Sequence, residues 1–238
     1  MFKYILEIKN RLFLLLFTCV STLVICYLYK ETLIFLLVKS NIFFSNNFYF
    51  IFTNVTEIFS VYIQLVTFLS CQIFFIYVIY HGFIFLNLAM FKIESYYLKV
   101  FLKYSLIIWI FSIFLTNFLL VPITWNFFLS FQNIISSRFI QLHFEAKLNE
   151  YLGFYIFVYY LCIFYCQIFT ILFFFLNYTK SKIMIIKKFR KLHYYFFVIF
   201  STIISPPDIF SQIFIIGLVI LIYELLVFIF LLKDKLVW

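Results

Sequence analysis

The side chains best suited to polar chemistry are a few carboxylates in a chain that is otherwise mostly hydrocarbon. Only nine of the 238 residues are acidic, and Glu7 and Glu94 lie among basic residues beside apolar runs. A carboxylate accepts two parallel hydrogen bonds from a guanidinium, a geometry that a lysine ammonium cannot copy. Each of these carboxylates is therefore suited to a guanidinium partner. As ordinary surface glutamates bonded to Lys9, Arg11 or Lys92, they would contribute about 0–1 kcal/mol each.

Two further polar side chains, Glu224 and Gln167, lie inside apolar runs. A carboxylate in the middle of a membrane span costs roughly 3 kcal/mol, so it suggests a functional site. We expect Glu224 either to carry a proton or to face Gln167 across a helix bundle. The alternative is a hydrogen bond between helices that only fixes their packing.

Other reactive groups are scattered. The five cysteines all lie in apolar runs, and Cys162 and Cys166 lack partners at the spacing of a metal site. His81, His143 and His193 are far apart in the sequence. There is no glycine-rich phosphate loop and no cluster of His, Ser and acidic residues, so we predict no cofactor, no metal site and no enzyme activity.

The composition explains which elements must position these groups. Hydrophobic residues make up 67% of the chain and charged residues only 11%, against roughly 25% charged in soluble domains. Most of the apolar side chains must therefore face lipid, which predicts an all-α, polytopic membrane protein. The 40 Phe and 19 Tyr, with only 3 Gly and 3 Pro, also suggest an AT-rich genome such as organelle DNA. No cleavable targeting segment is predicted.

The apolar runs predict six spans within a single domain covering residues 1–238. They are Leu12–Tyr29, Ile58–Tyr80, Tyr104–Trp125, Tyr151–Leu176, Tyr194–Ile204 and Ile209–Leu232. The loop Ile123–Glu150 is predicted to form a cap outside the bilayer. The last two spans are predicted to be short: the eleven residues of the fifth reach ~17 Å, against a hydrocarbon thickness of ~30 Å.

The basic residues predict the orientation of these spans. With six spans, 14 of the 18 Lys and Arg residues fall on the side that holds the first residues, here called the inner side. By the positive-inside rule, both termini then face the cytoplasm, matrix or stroma. Retention of basic residues on one face also accounts for the net charge of +9 without a nucleic-acid partner.

The segment SPPDIFSQ interrupts the last apolar run. Pro206 and Pro207 are compatible with a helix start, and Asp208 can cap the following helix and interact favourably with its dipole. By itself this pattern predicts only a tight turn between two helices.

The order of motifs resembles the TatC family, the multi-spanning receptor subunit of the twin-arginine protein translocase. SPPDIFSQIFIIGLVILIYE resembles the family signature at the last span, through Pro206, Pro207, Asp208, Gln212 and Glu224. ILEIKNRL resembles the N-terminal signature, and its matching residues are Glu7 and Arg11, with Lys9 in place of an arginine. FLNLAMFKIE resembles the first inner loop, and here Phe85 and Glu94 match, whereas Leu88 replaces a proline. Pro122 and Arg190 also match the family. Gln167 matches as well, although Phe169 stands where the family has a proline two residues later.

The resemblance implies a role for each group of residues. Glu7, Glu94, Lys9, Arg11 and Phe85 would bind a signal peptide that carries two adjacent arginines. A second group would contact partner subunits and support transport: Pro206, Pro207, Asp208, Gln212, Gln167 and Glu224.

The implied process is proton-gradient-driven transport of folded proteins, with single-span TatA/TatB-like subunits and further copies of this chain in a larger complex. The expected location is the mitochondrial inner membrane, with a plastid or bacterial membrane as alternatives. A respiratory or ATP-synthase membrane subunit is the alternative function. It would require ionisable residues along several spans, and only Glu224 meets that requirement.

Overall fold

A computed structural model describes residues 2–42, 50–135, 146–178, 182–204 and 209–236. The described chain is almost entirely helical. Its elements are α1 (Phe2–Leu28), α2 (Lys30–Ile42), β1 (Phe50–Ile51), α3 (Val55–Asn87), α4 (Lys92–Leu115), a π-helical turn (Thr116–Leu120), α5 (Val121–Ile135), β2 (Ala146–Lys147), α6 (Leu148–Tyr178), α7 (Lys182–Ile204) and α8 (Ile209–Leu236).

Among the described residues, four stretches of helix are long and apolar enough to cross a membrane. They are Tyr4–Leu28, Val55–Asn87, Lys92–Phe128 and Leu148–Ile168, and α8 contains a shorter apolar stretch, Gln212–Leu225. Large apolar side chains cover their outer surfaces; Phe13, for example, is 70% exposed. An apolar exterior of this kind is suited to lipid, because soluble monomers rarely expose large contiguous apolar patches.

The chain forms two compact units. Unit 1 comprises residues 1–100 and 145–156, and unit 2 comprises residues 101–144 and 157–238. In unit 1, α1 packs along α3, and the core contains Val61, Leu65 and Leu152. In unit 2, α7 packs against α8. Hydroxyl groups within the helices are satisfied locally: Ser112, for example, donates to the carbonyl of Trp109 at 2.7 Å.

A proline inside a long helix explains the π-helical turn. Pro122 has no N–H and therefore cannot make the usual helical hydrogen bond. Just before it, the Val121 N–H donates to the carbonyl of Thr116, five residues back, which is the π pattern. The helix then continues to Ile135. The prediction of a loop beginning at Ile123 is therefore wrong, and residues 136–145 lie outside the described part of the chain.

Two elements differ from the predicted pattern of spans. A two-residue parallel pair joins β1 to β2, with Phe50 opposite Ala146 and Ile51 opposite Lys147. Helix α7 has 23 residues, so it begins twelve residues before the predicted fifth span at Tyr194. The added residues are rich in lysine. Lysine lowers the hydropathy of a segment, so these residues were not predicted as part of a membrane span, but lysine is a good helix former.

Candidate functional site

Contacts around Lys30 define the relative direction of the two long helices of unit 1. The Lys30 Nζ atom lies 4.6 Å from the ring centroid of Tyr27, near the end of α1. The same atom lies 4.7 Å from the ring centroid of Tyr62, near the start of α3. The end of α1 is therefore beside the start of α3, and the two helices run antiparallel.

This arrangement brings most of the predicted peptide-binding residues to one end of unit 1. Glu7 lies twenty residues before Tyr27, or ~30 Å along the helix axis. The same distance along α3 from Tyr62 reaches residue 82, three residues before Phe85. Helix α4 then begins at Lys92, after a short connection, and Glu94 lies in its first turn. Glu7, Phe85 and Glu94 therefore occupy the same end of the unit.

Glu7 forms an ion pair with Arg11 one helical turn away. The Arg11 Nη2 and Nε atoms donate to Glu7 Oε1 at 2.5 and 3.1 Å. The side chains are only partly exposed, 21% for Arg11 and 31% for Glu7. Lys9, between them in sequence, is exposed. The carboxylate is thus already oriented towards a guanidinium, and both of these bonds end on one of its two oxygens.

Glu94 has a structural role at the start of α4. Its Oε2 atom accepts a hydrogen bond from the backbone N–H of Phe91 at 3.2 Å. This is half of a capping box, in which the third helical residue satisfies the free N–H that precedes the helix. The residue itself is exposed. Leu88, which replaces the proline of the family's first inner loop, adopts a right-handed helical conformation at the end of α3.

In unit 2, Glu224 binds a guanidinium from the neighbouring helix. Arg190 donates through Nε to Oε1 at 2.9 Å and through Nη2 to Oε2 at 2.5 Å. Tyr194 donates its hydroxyl to Glu224 Oε1 and accepts a bond from Arg190 Nε at 2.8 Å. The bidentate pair with a shared tyrosine links α7 to α8 and gives each charged group an opposite partner.

The expectation that Glu224 faces Gln167 is therefore wrong. The Gln167 Nε2 atom donates to the carbonyl of Ser105 at 3.2 Å, and its Oε1 atom accepts from Thr170 at 3.1 Å. Gln167 thus joins α6 to α4 within unit 2. Helix α6 continues through Phe169 without a break, because this chain has no proline there to interrupt it.

Residues 205–208, between α7 and α8, lie outside the described part of the chain, and with them Pro206, Pro207 and Asp208. Gln212, which follows in the first turn of α8, is partly exposed. The predicted partner-binding residues that the structure describes therefore lie in two places. Gln167 lies between α4 and α6, and Gln212 and Glu224 lie along α8.

The sequence alone did not identify Tyr194 as a partner of Glu224. A usable signal was present, because Arg190 and Tyr194 are one helical turn apart. Arg190 lies fourteen residues before the end of α7, and Glu224 lies fifteen residues after the start of α8. In a helical hairpin, residues at equal distances from the turn meet, so counting outwards from SPPD would have paired them.

Comparison with known proteins places this architecture in a family. The family model described as "TatC: Sec-independent protein translocase protein (TatC)" matches residues 3–217. The chain is 32% identical over 226 residues to the "Uncharacterized tatC-like protein ymf16" of Nephroselmis olivacea, covering 93% of this chain and 90% of the relative. It is 28% identical over 228 residues to the "Sec-independent protein translocase protein TatC" of Rickettsia prowazekii (strain Madrid E), covering 93% of this chain and 88% of that protein.

The fold agrees with this assignment. A crystal structure of the twin-arginine translocase receptor TatC in DDM superposes with a TM-score of 0.67 at 16% identity, covering 95% of this chain and 98% of that one. At that identity the likeness establishes the fold, and the family rests on the sequence match. The chain is a membrane protein and a subunit of the Sec-independent protein translocase, and it belongs to the TatC family.

Proposed function

We propose that this chain is the receptor subunit that binds twin-arginine signal peptides, using the end of unit 1 that holds Glu7 and Glu94. The observation that carries the proposal is the antiparallel packing of α1 and α3, which puts both carboxylates at the same end of one compact unit. Besides Asp234, they are the only acidic residues that the sequence predicts on the inner side, against 14 basic ones. Cationic side chains entering this end therefore have few other carboxylates to pair with.

The chemistry of recognition is an exchange of guanidinium groups. Glu7 is already paired with Arg11, so an incoming arginine finds a carboxylate in the correct orientation. It then either replaces Arg11 or adds to the second oxygen. Glu94 is exposed, and its bond to the Phe91 N–H involves one oxygen. Phe85, near the end of α3, is partly exposed and offers an apolar contact for the residues that follow the arginines.

The proposed membrane arrangement has six spans, with α7 and α8 added to the four long apolar stretches. Both termini lie on the inner side, and the chain forms one transmembrane domain. The distribution of Lys and Arg supports this orientation. The proposed location is the mitochondrial inner membrane. The Phe-rich, Gly-poor composition supports it, as does the similarity to ymf16 relatives from organelle genomes.

Transport itself would proceed by assembly and gating. Single-span TatA/TatB-like subunits would contact polar side chains of unit 2 and the turn before α8, after which a folded cargo crosses under the proton gradient. Glu224 is the central candidate, because it is a partly exposed carboxylate on a largely apolar helix. Copies of this chain are expected to share the assembly.

The test is capture of a photo-crosslinkable twin-arginine peptide by the full chain in lipid nanodiscs. Glu7→Gln and Glu94→Gln should each lower capture about tenfold or more, because a charge-assisted hydrogen bond contributes roughly 1.5–3 kcal/mol. Glutamine at position 94 can still cap α4, so this variant removes the charge and keeps the helix start. Glu31→Gln, an exposed carboxylate at the start of α2, is the matched control and should leave capture unchanged.

Changing the peptide gives an independent arm of the same test. A Lys-Lys peptide should be captured no better than a peptide without basic residues, since an ammonium cannot make the bidentate contact. Undiminished capture by both glutamine variants, or equal capture of Arg-Arg and Lys-Lys peptides, would refute the site.

A further inference from the structure

His81, in the second half of α3, carries a polar atom that the fold leaves unused. Its Nδ1 atom is buried and has no hydrogen-bond partner among the described residues. The adjacent Tyr80 contacts the imidazole ring to ring, at 5.5 Å between centroids. Buried nitrogen and oxygen atoms in folded proteins are nearly always paired, so this one requires an explanation.

His81 lies at the level of the ion pair between Glu7 and Arg11. Because α1 and α3 run antiparallel from the contacts of Lys30 with Tyr27 and Tyr62, Glu7 is level with residue 82 of α3. Arg11, sixteen residues before Tyr27, is level with residue 78. His81 lies between these two levels, within ~5 Å of both along the helix axis.

The side of α3 that carries His81 is the side that faces α1. The opposite side, marked by Leu65, packs on α2 and on the start of α6. At about 100° per residue, His81 is roughly 160° from Leu65 and roughly 20° from Ser70, which is only 3% exposed. Within the described part of unit 1, α1 is the helix that packs along the length of α3. It therefore covers the side that holds Ser70 and His81.

The ion pair lies on the side of α1 that faces α3. Glu7 and Arg11 are partly covered, whereas Leu6, Ile8 and Leu12 beside them are exposed. The less exposed positions recur every three or four residues, as in a helix packed along one side. They are Glu7, Arg11, Leu15, Thr18, Thr22 and Cys26. The imidazole and the ion pair thus lie on facing sides of the contact between α1 and α3.

From these placements we infer that His81 is a further residue of the signal-peptide site and accepts a hydrogen bond from the arginine that binds Glu7. The inference rests on the proposed function. A neutral imidazole with its proton on Nε2 accepts at Nδ1, and a guanidinium has N–H groups left over after a bidentate contact with a carboxylate. Arg11 does not fill this role, because its Nε and Nη2 atoms donate to Glu7 and Nδ1 stays unpaired.

Three substitutions at position 81 test the inference by capture of the Arg-Arg peptide, with the full chain in nanodiscs. His81→Leu removes the acceptor and should lower capture about tenfold, as expected for a hydrogen bond to a charged group. His81→Asn keeps an amide oxygen near the position of Nδ1 and should retain capture within about twofold. His81→Gln carries its amide near the position of Nε2, so its capture should fall about as far as that of His81→Leu.

A stability measurement separates recognition from packing. Because Nδ1 is unpaired in the free chain, His81→Leu should unfold no more readily than the wild type in SDS. Phe74→Leu is the matched control, since Phe74 is partly covered and lies two turns away on the same side of α3. It changes packing alone and should leave capture within about twofold.

The outcomes distinguish this inference from the proposed function. A loss of capture in Glu7→Gln without a loss in His81→Leu would overturn the inference and leave the receptor site in place. If neither variant lost capture, the receptor site would fail and the inference with it. Equal capture by the Asn, Gln and Leu variants would show that the position of the acceptor does not matter. That result would also overturn the inference, as would a loss in His81→Leu matched by an equal loss of stability.

Discussion

The ion pair between Arg190 and Glu224 should contribute more to stability in a bilayer than its exposure suggests. The side chains are 48% and 33% exposed, and in water such a pair would contribute about 0–1 kcal/mol. Both groups lie ~20 Å or more along their helices from the facing ends of α7 and α8. In the proposed arrangement, in which both helices span the membrane, the pair lies well inside it, where a single unpaired charge costs roughly 3 kcal/mol.

The perturbation is removal of either charge. Arg190→Gln leaves Glu224 without its partner, and Glu224→Gln leaves Arg190 without its own, so each should destabilise the folded protein by about 2–3 kcal/mol in a bilayer. The double variant leaves no charge and should recover most of that loss. The expected coupling energy is therefore about 2 kcal/mol, within the range measured for interacting neighbours.

The assay is a double-mutant cycle of SDS-induced unfolding in lipid bicelles, followed by tryptophan fluorescence. The Glu7–Arg11 pair supplies a matched control, since it has the same residue types and the same shortest distance of 2.5 Å but lies within one helix. Its coupling should be about 0.5 kcal/mol. A coupling below about 0.5 kcal/mol for Arg190 and Glu224 would refute the argument that this pair lies within the hydrocarbon.

Three further predictions concern packing. Leu65 is fully buried in unit 1, so Leu65→Ala should lower the free energy of unfolding by about 2–5 kcal/mol. Ile63 is 43% exposed, so Ile63→Ala should lower it by about 1 kcal/mol or less in the same unfolding assay. Pro122→Ala should let the π-helical turn over 116–120 relax towards α-helix, seen as slower amide exchange there; unchanged exchange would mean that the proline is not its cause. Tyr165→Phe removes the hydrogen bond from the Tyr165 hydroxyl to the Phe196 carbonyl of α7. It should lower the free energy of unfolding by about 1 kcal/mol, and an unchanged free energy of unfolding would show that this bond contributes little.

The sequence predicted the all-α fold and the positions of four long apolar stretches, because a bilayer requires long apolar runs. Helix ends were less predictable. Hydropathy marks the stretch that lipid can cover, and a helix continues beyond it where polar residues also favour helix, as over residues 182–193 of α7. The predicted loop at Ile123 failed for a related reason. Val121, Thr124 and Trp125 are buried at helical spacing, and the helix continues past them to Ile135.

For the candidate site, the sequence proposed residues but did not predict the contacts that they make. The same-end placement of Glu7 and Glu94 followed from counting spans. The pairing of Glu224 could not be read from hydropathy, because Arg190 lies before the predicted start of the fifth span at Tyr194. A contact with Gln167 was one of two alternatives that the sequence offered for Glu224, since both residues are polar and lie in predicted spans. The local contacts of Gln167 with Ser105 and Thr170 depend on how α4 meets α6, which no local pattern specifies.

The most direct test of the receptor proposal is the distance between positions 7 and 94. Adjacent arginines have Cα atoms about 3.8 Å apart, so with their side chains extended they can engage two carboxylates no more than about 20 Å apart. Nitroxide labels at these two positions, in an otherwise cysteine-free chain in nanodiscs, would report the separation by pulsed electron spin resonance. An impermeant reductant added to one side of vesicles would report their sidedness. We predict a separation within about 20 Å and quenching of both labels from the same side; labels much farther apart, or on opposite sides, would contradict the proposal.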